Sequence, residues 1–175
     1  MPTEIHGLPA HVLLVHVVVV AVPLAAIMLI LAAVWPAARH RMGLAVPIVA
    51  LVAMISVPIT THAGEWLRDR VRDTSLVDRH AELGDQLLPF AIGVFACAAV
   101  VWGLDRYVSR DETTPATSAA AWAVPVQRIV AALAIVVSVF AVVQVYRIGD
   151  SGAKAAWHGK FSTQSHETGD SAGGR

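Results

Sequence analysis

Residues 8–35 read LPAHVLLVHVVVVAVPLAAIMLILAAVW, and from position 10 to position 34 there is no Asp, Glu, Lys or Arg. Roughly 20 apolar residues suffice for a helix to cross the ~30 Å hydrocarbon layer of a bilayer. This stretch therefore reads as a membrane span. The first ten residues carry no Lys or Arg, and the run exceeds the ~7–15-residue apolar core of a signal peptide. It is accordingly read as a retained helix rather than a cleaved leader.

Three further stretches have the same character. Residues 44–62 contain LAVPIVALVAMISVPITT, with Pro47 near the start, where a missing amide donor costs nothing, and Pro58 near the far end. Residues 84–104 contain LLPFAIGVFACAAVVWGL, and residues 124–146 carry Pro125 in the expected first turn. The spacing predicts an all-α, four-helix transmembrane bundle with spans at about 10–34, 44–62, 84–104 and 124–146. Trp35, Trp66, Trp102 and Trp122 fall near the ends of these spans, as the aromatic belt of membrane proteins requires.

The connection EWLRDRVRDTSLVDRHAELGDQ alternates Trp66, Leu67, Val71 and Leu76 with Arg and Asp at helical spacing. It predicts an interfacial helix between the second and third spans. Residues 1–149 thus form the transmembrane domain, and 150–175, rich in Gly, Ser and small polar residues, read as a flexible tail. His158 and His166 lie in that tail and are weak ligand candidates.

Composition agrees. Hydrophobic residues are 56% of the chain and charged residues 15%, whereas a soluble domain carries about a quarter charged residues. Lys and Arg number 13 against 13 Asp and Glu, so no basic field exists for nucleic acid. The lone Cys97 has no partner for a disulfide or a thiolate metal site. Arg39, Arg41, Arg106 and Arg110 flank one side, and Arg68, Arg70, Arg72 and Arg79 the other. The second set is interleaved with Asp69, Asp73 and Asp78 in the interfacial helix, so the first set is taken as cytoplasmic and both termini are expected outside.

With four spans, the start of the first and third and the end of the second and fourth meet one membrane face. There the sequence places His11, His16, His62, Glu65, His80, Glu82, Asp85, Gln86, Gln144, Tyr146 and Arg147; the opposite face offers His40 and ordinary loop charges. Ionisable groups at membrane depth are expensive and mark sites. His16 lies roughly 6–9 Å inside the first span at 1.5 Å per residue. His11 and His16 are about 140° apart on a helix, so they cannot both face one small ligand.

Three uses are open. Histidines on facing helices of a bundle can ligate haem iron from both sides; His16 and His80 form the expected axial pair, with His62 or His11 as substitutes. Alternatively, His16, His62 and His80 with Glu65, Glu82 or Asp85 form a nitrogen and oxygen site for zinc, iron or copper. The same groups also suit proton handling, because histidine titrates near neutrality. Against these stands the plain reading, with no cofactor at all, in which the histidines cap helices and make interhelical hydrogen bonds.

The segments HGLPAHVLLVHVVVVAVPLA, THAGEWL, RHAELGDQLLP and VYRIGDSGAKAAWHGK together resemble the bacterial membrane family known as domain of unknown function 2231. The resemblance covers roughly residues 5 to 160 and centres on His11, His16, Pro23, His80 and Ala81. Val12 and Val17 stand where family members usually have Pro after the first histidine and Phe-Pro after the second. The resemblance implies a four-helix module of the bacterial inner membrane that accompanies redox proteins, Rieske-type iron–sulfur domains among them, and is suspected of binding haem. It implies two roles: a haem b electron-transfer component working with a quinone pool or a neighbouring redox protein, or a non-catalytic accessory subunit of a larger respiratory or redox complex. In neither role is the chain an enzyme by itself.

Overall fold

The computed structural model describes residues 4–5, 7–111 and 119–160. After a two-residue ladder, in which β1 (Glu4–Ile5) pairs antiparallel with β2 (Leu8–Pro9), the chain is helical: α1 Ala10–Val34, α2 Pro36–Met42, α3 Ala45–Arg68, α4 Ser75–Asp85, α5 Leu87–Asp111 and α6 Ala119–Trp157. Among the described residues, four helices are long and apolar enough to cross a membrane. They form an antiparallel bundle in which α1 and α5 each pack against both α3 and α6. The all-α four-span expectation stands.

The side chains explain the close packing. Lipid tails are as apolar as leucine, so helices in a bilayer associate through close contact of small residues. The buried seam is accordingly rich in alanine, with Ala25, Ala26, Ala50, Ala98, Ala134 and Ala141 fully covered, and Leu29, Val22 and Val94 as its largest members. Val20, Ile27, Ile129 and Leu133 are exposed on the outside, where acyl chains would meet them.

Two boundaries differ from the sequence expectation. The interfacial segment is split: α3 continues to Arg68 and α4 starts after Thr74, whose hydroxyl accepts from Val77 N. Arg68 and Asp78 pair across the turn between them. At the other end, the tail expected from residue 150 is helical as far as Trp157. A Lys154–Asp150 ion pair at 2.7 Å and the Ser151 hydroxyl donating to Ile148 O at 2.9 Å support those extra turns. At 39 residues, α6 is about 58 Å long, well beyond what a bilayer core needs, so it projects from it. It also begins before Pro125, which lies inside the helix rather than in its first turn. Residues 161–175, including His166, lie outside the described residues, as does the side chain of Trp122.

Arg39 overturns the reading of the opposite face as ordinary loop charge. It is 9% exposed, its Nε donating to Ala32 O at 2.7 Å and a terminal nitrogen to Ala33 O at 3.0 Å. The reason is local: four residues after Ala32 comes Pro36, which has no N–H to complete the helical ladder. Arg39 takes its place. Neighbouring His40 pairs with Asp105 at 3.5 Å.

Candidate functional site

Two imidazoles meet at the end of the bundle where α1 begins and α3 runs out into α4, opposite the α1–α3 connection. His11 stands in the first turn of α1 and His80 on the inward side of α4; their ring centroids are 6.1 Å apart with planes at 82°. Between them and the helices below opens a cleft with about 470 Å³ of empty space, mouth included, walled by Val15, Val18, Val57, Leu87, Val145 and Ile148. Thr60 and Gly84 complete its upper wall. It is an apolar slot with two nitrogen heterocycles at its rim.

Each ring is held by its Nδ1. That of His11 lies 3.0 Å from Thr60 O, on α3. That of His80 lies 3.1 Å from Ile148 O and 3.1 Å from Ser151 Oγ, both on α6. A carbonyl oxygen only accepts, so Nδ1 must carry the proton in each ring, and a neutral imidazole then keeps its lone pair on Nε2. No hydrogen bond occupies either Nε2 among the described residues. Both rings thus have one nitrogen anchored and the other available.

The remaining expected site residues fall elsewhere. His16 is exposed, its Nδ1 donating to Val12 O of its own helix at 2.7 Å, and it does not line the cleft. With about 140° between His11 and His16, turning one ring inward turns the other out, so the expected pairing of His16 with His80 is replaced by His11 with His80. His62 is also exposed and pairs with Glu65 at 3.5 Å. Glu82 reaches Arg79 at 4.0 Å on the outer side of α4, and Asp85 is exposed. The four-histidine cluster is therefore not formed. No three of His, Cys, Asp and Glu converge among the described residues, so the set His16, His62, His80, Glu65, Glu82 and Asp85 does not assemble into a metal site.

Gln144 supports the site in a way its sequence position did not reveal. It is 4% exposed, and its Nε2 donates to Leu83 O at 2.8 Å, tying α4, and with it His80, to α6. Arg147 leans on Gln144 Oε1 at 3.5 Å, while Tyr146 points outward, 74% exposed. On the outer surface Arg70 stacks over Trp66 at 3.9 Å.

No curated protein and no solved structure matches the chain. The family described as predicted membrane protein (DUF2231) matches residues 7–165, which take in every helix of the bundle, both imidazoles and the carbonyls that hold them; the chain belongs to that family.

Proposed function

We propose that the protein is a haem b-binding electron-transfer component of the membrane, with His11 and His80 as the two residues that would hold the haem. The ring separation carries this reading. An imidazole nitrogen binds a metal at about 2.0–2.1 Å, and the ring centre lies about 1.1 Å further on, so two imidazoles that would hold one ion between them have centroids about 6.3 Å apart. The observed value is 6.1 Å. The anchoring supports it too, since ligating histidines commonly donate their other N–H to a backbone carbonyl, which sets the tautomer and the ring orientation.

The lining of the cleft supports the same ligand: cofactor pockets are mostly apolar with a few placed polar groups, and here valine, leucine and isoleucine walls carry two imidazoles at the rim. A haem held there would supply one-electron transfer. With both imidazoles engaged in holding such a group, the described residues that line the cleft include no further acid or base for turnover of a substrate, which favours carriage of electrons. Its electron partners would be a quinone or a neighbouring redox protein of a larger complex. The same reading places the chain in a bacterial cell membrane with both termini outside, so alkaline phosphatase fused after Arg175 should be active and inactive when fused after Gly43.

The test is a reduced-minus-oxidised spectrum of protein purified from haem-replete cells. The wild type and His16→Ala should show a Soret and an α band, and His11→Ala and His80→Ala should lose the six-coordinate form. A wild type without either band ends the proposal, and an unchanged His11→Ala spectrum ends the assignment of that ligand.

A further inference from the structure

The two imidazoles are received in the same way by two different helices. His11 donates to the carbonyl of Thr60, and four residues later in α3 comes Gly64. His80 donates to the carbonyl of Ile148, and four residues later in α6 comes Gly152. In an α-helix the carbonyl of residue i already accepts from the N–H of residue i+4, so each imidazole shares an acceptor with the backbone of a glycine.

The glycines lie against the rings. A Cβ on Gly64 would stand 3.0 Å from both Cε1 and Nδ1 of His11. One on Gly152 would stand 2.9 Å from Cε1 and 3.1 Å from Nδ1 of His80. Neither glycine has the positive φ that would explain its identity through backbone conformation, and glycine inside a helix is otherwise unfavourable relative to alanine. Gly149, on the same helix as Gly152, and Gly84, on the same helix as His80, have nothing within 4 Å. Space for a ring distinguishes Gly64 and Gly152 from those two.

We propose that Gly64 and Gly152 are a matched pair of positioning residues, each baring a turn of helix so that one imidazole can lie on the carbonyl one turn earlier with its Nε2 turned free. The hairpin of α1 with α3 and the hairpin of α4–α5 with α6 then each contribute one ligand through the same construction: a histidine from the first arm, a carbonyl and a glycine four residues on from the second. The bound group lies between two equivalent halves. This deepens the haem reading and rests on it for its spectroscopic consequence, though not for the orientation of the rings.

The experiment compares full-length wild type with Gly64→Ala, Gly152→Ala and the control Gly149→Ala, all purified from haem-replete cells. Alanine is the better helix former, so reduced helix propensity cannot account for a loss, and circular dichroism confirms that each variant is folded. Gly64→Ala and Gly152→Ala should each lose most of the reduced α band and gain carbon monoxide binding, as one ligand is displaced; Gly149→Ala should match wild type. Long-range ¹H–¹⁵N spectra of the histidine rings give the second readout: both rings protonated on Nδ1 in wild type, His11 alone altered by Gly64→Ala and His80 alone by Gly152→Ala. If wild type has no haem band but the ring signals respond in this selective way, the positioning role stands and the haem reading falls. If folded alanine variants keep both the wild-type spectrum and the wild-type ring signals, the positioning role is overturned while the haem reading stands.

Discussion

Arg39→Ala is expected to destabilise the bundle by about 3 kcal/mol while leaving the His11–His80 site intact. The side chain donates to Ala32 O at 2.7 Å and to Ala33 O at 3.0 Å. Hydrogen bonds from a charged donor contribute about 1.5–3 kcal/mol each, so the two together span about 3–6 kcal/mol. The two bonds share one side chain and water can reach part of that face after truncation, so the sum is placed near its lower end. Ala32 O depends most on this side chain, because Pro36 cannot supply the N–H that would otherwise satisfy it. Gln127, its amide turned so that the oxygen faces the guanidinium, accepts from the remaining N–H groups and would lose its partner as well. Arg39→Lys keeps the charge but not the planar fork that reaches two carbonyls at once, and about half the loss should remain. The assay is reversible unfolding in mixed detergent micelles followed by helical circular dichroism. A loss below about 1 kcal/mol for Arg39→Ala, or equal stability of the Ala and Lys variants, would show that the last turn of α1 does not depend on this side chain.

Two other perturbations test the packing around the site. Gln144→Leu removes the 2.8 Å bond to Leu83 O and should cost about 1–2 kcal/mol; amide exchange in α4 should quicken more than in α5, and equal rates would contradict the tie between α4 and α6. Gly93→Ala places a Cβ 2.7 Å from Val137 Cγ2, an overpacking that should cost about 1–3 kcal/mol. Adding Val137→Ala should recover most of that loss, and additive losses in the double variant would mean the two positions do not share the contact.

The spans were legible because a bilayer imposes a length and a polarity on any helix that crosses it, and residues 10–34 satisfy both without reference to the rest of the chain. The boundary of α1 at Val34 follows from Trp35 and Pro36. The far end of α6 was not legible: Asp150, Ser151 and Gly152 read as turn chemistry, and what keeps them helical is Ser151 bonding back to Ile148, the Lys154–Asp150 pair and the presence of His80 alongside. Arg39 was misjudged for the same kind of reason, because a positive charge beside a span usually marks a loop, and only the break at Pro36 turns it into a helix cap. The equivalence of Thr60 with Gly64 and Ile148 with Gly152 had a sequence trace, a glycine four residues after an acceptor position near the end of the second and fourth spans. That trace acquires meaning only once a histidine is known to lie against each.

The order of apolar and polar residues alone determined that this chain crosses a membrane four times and that several histidines gather toward one of its faces, since hydrophobic burial and helix length are properties of contiguous residues. Which histidines look at each other was decided by tertiary packing. The rotation of α1 about its own axis that packs Val18, Val22, Ala25 and Leu29 into the core against α3 and α6 also carries His11 inward and His16 outward.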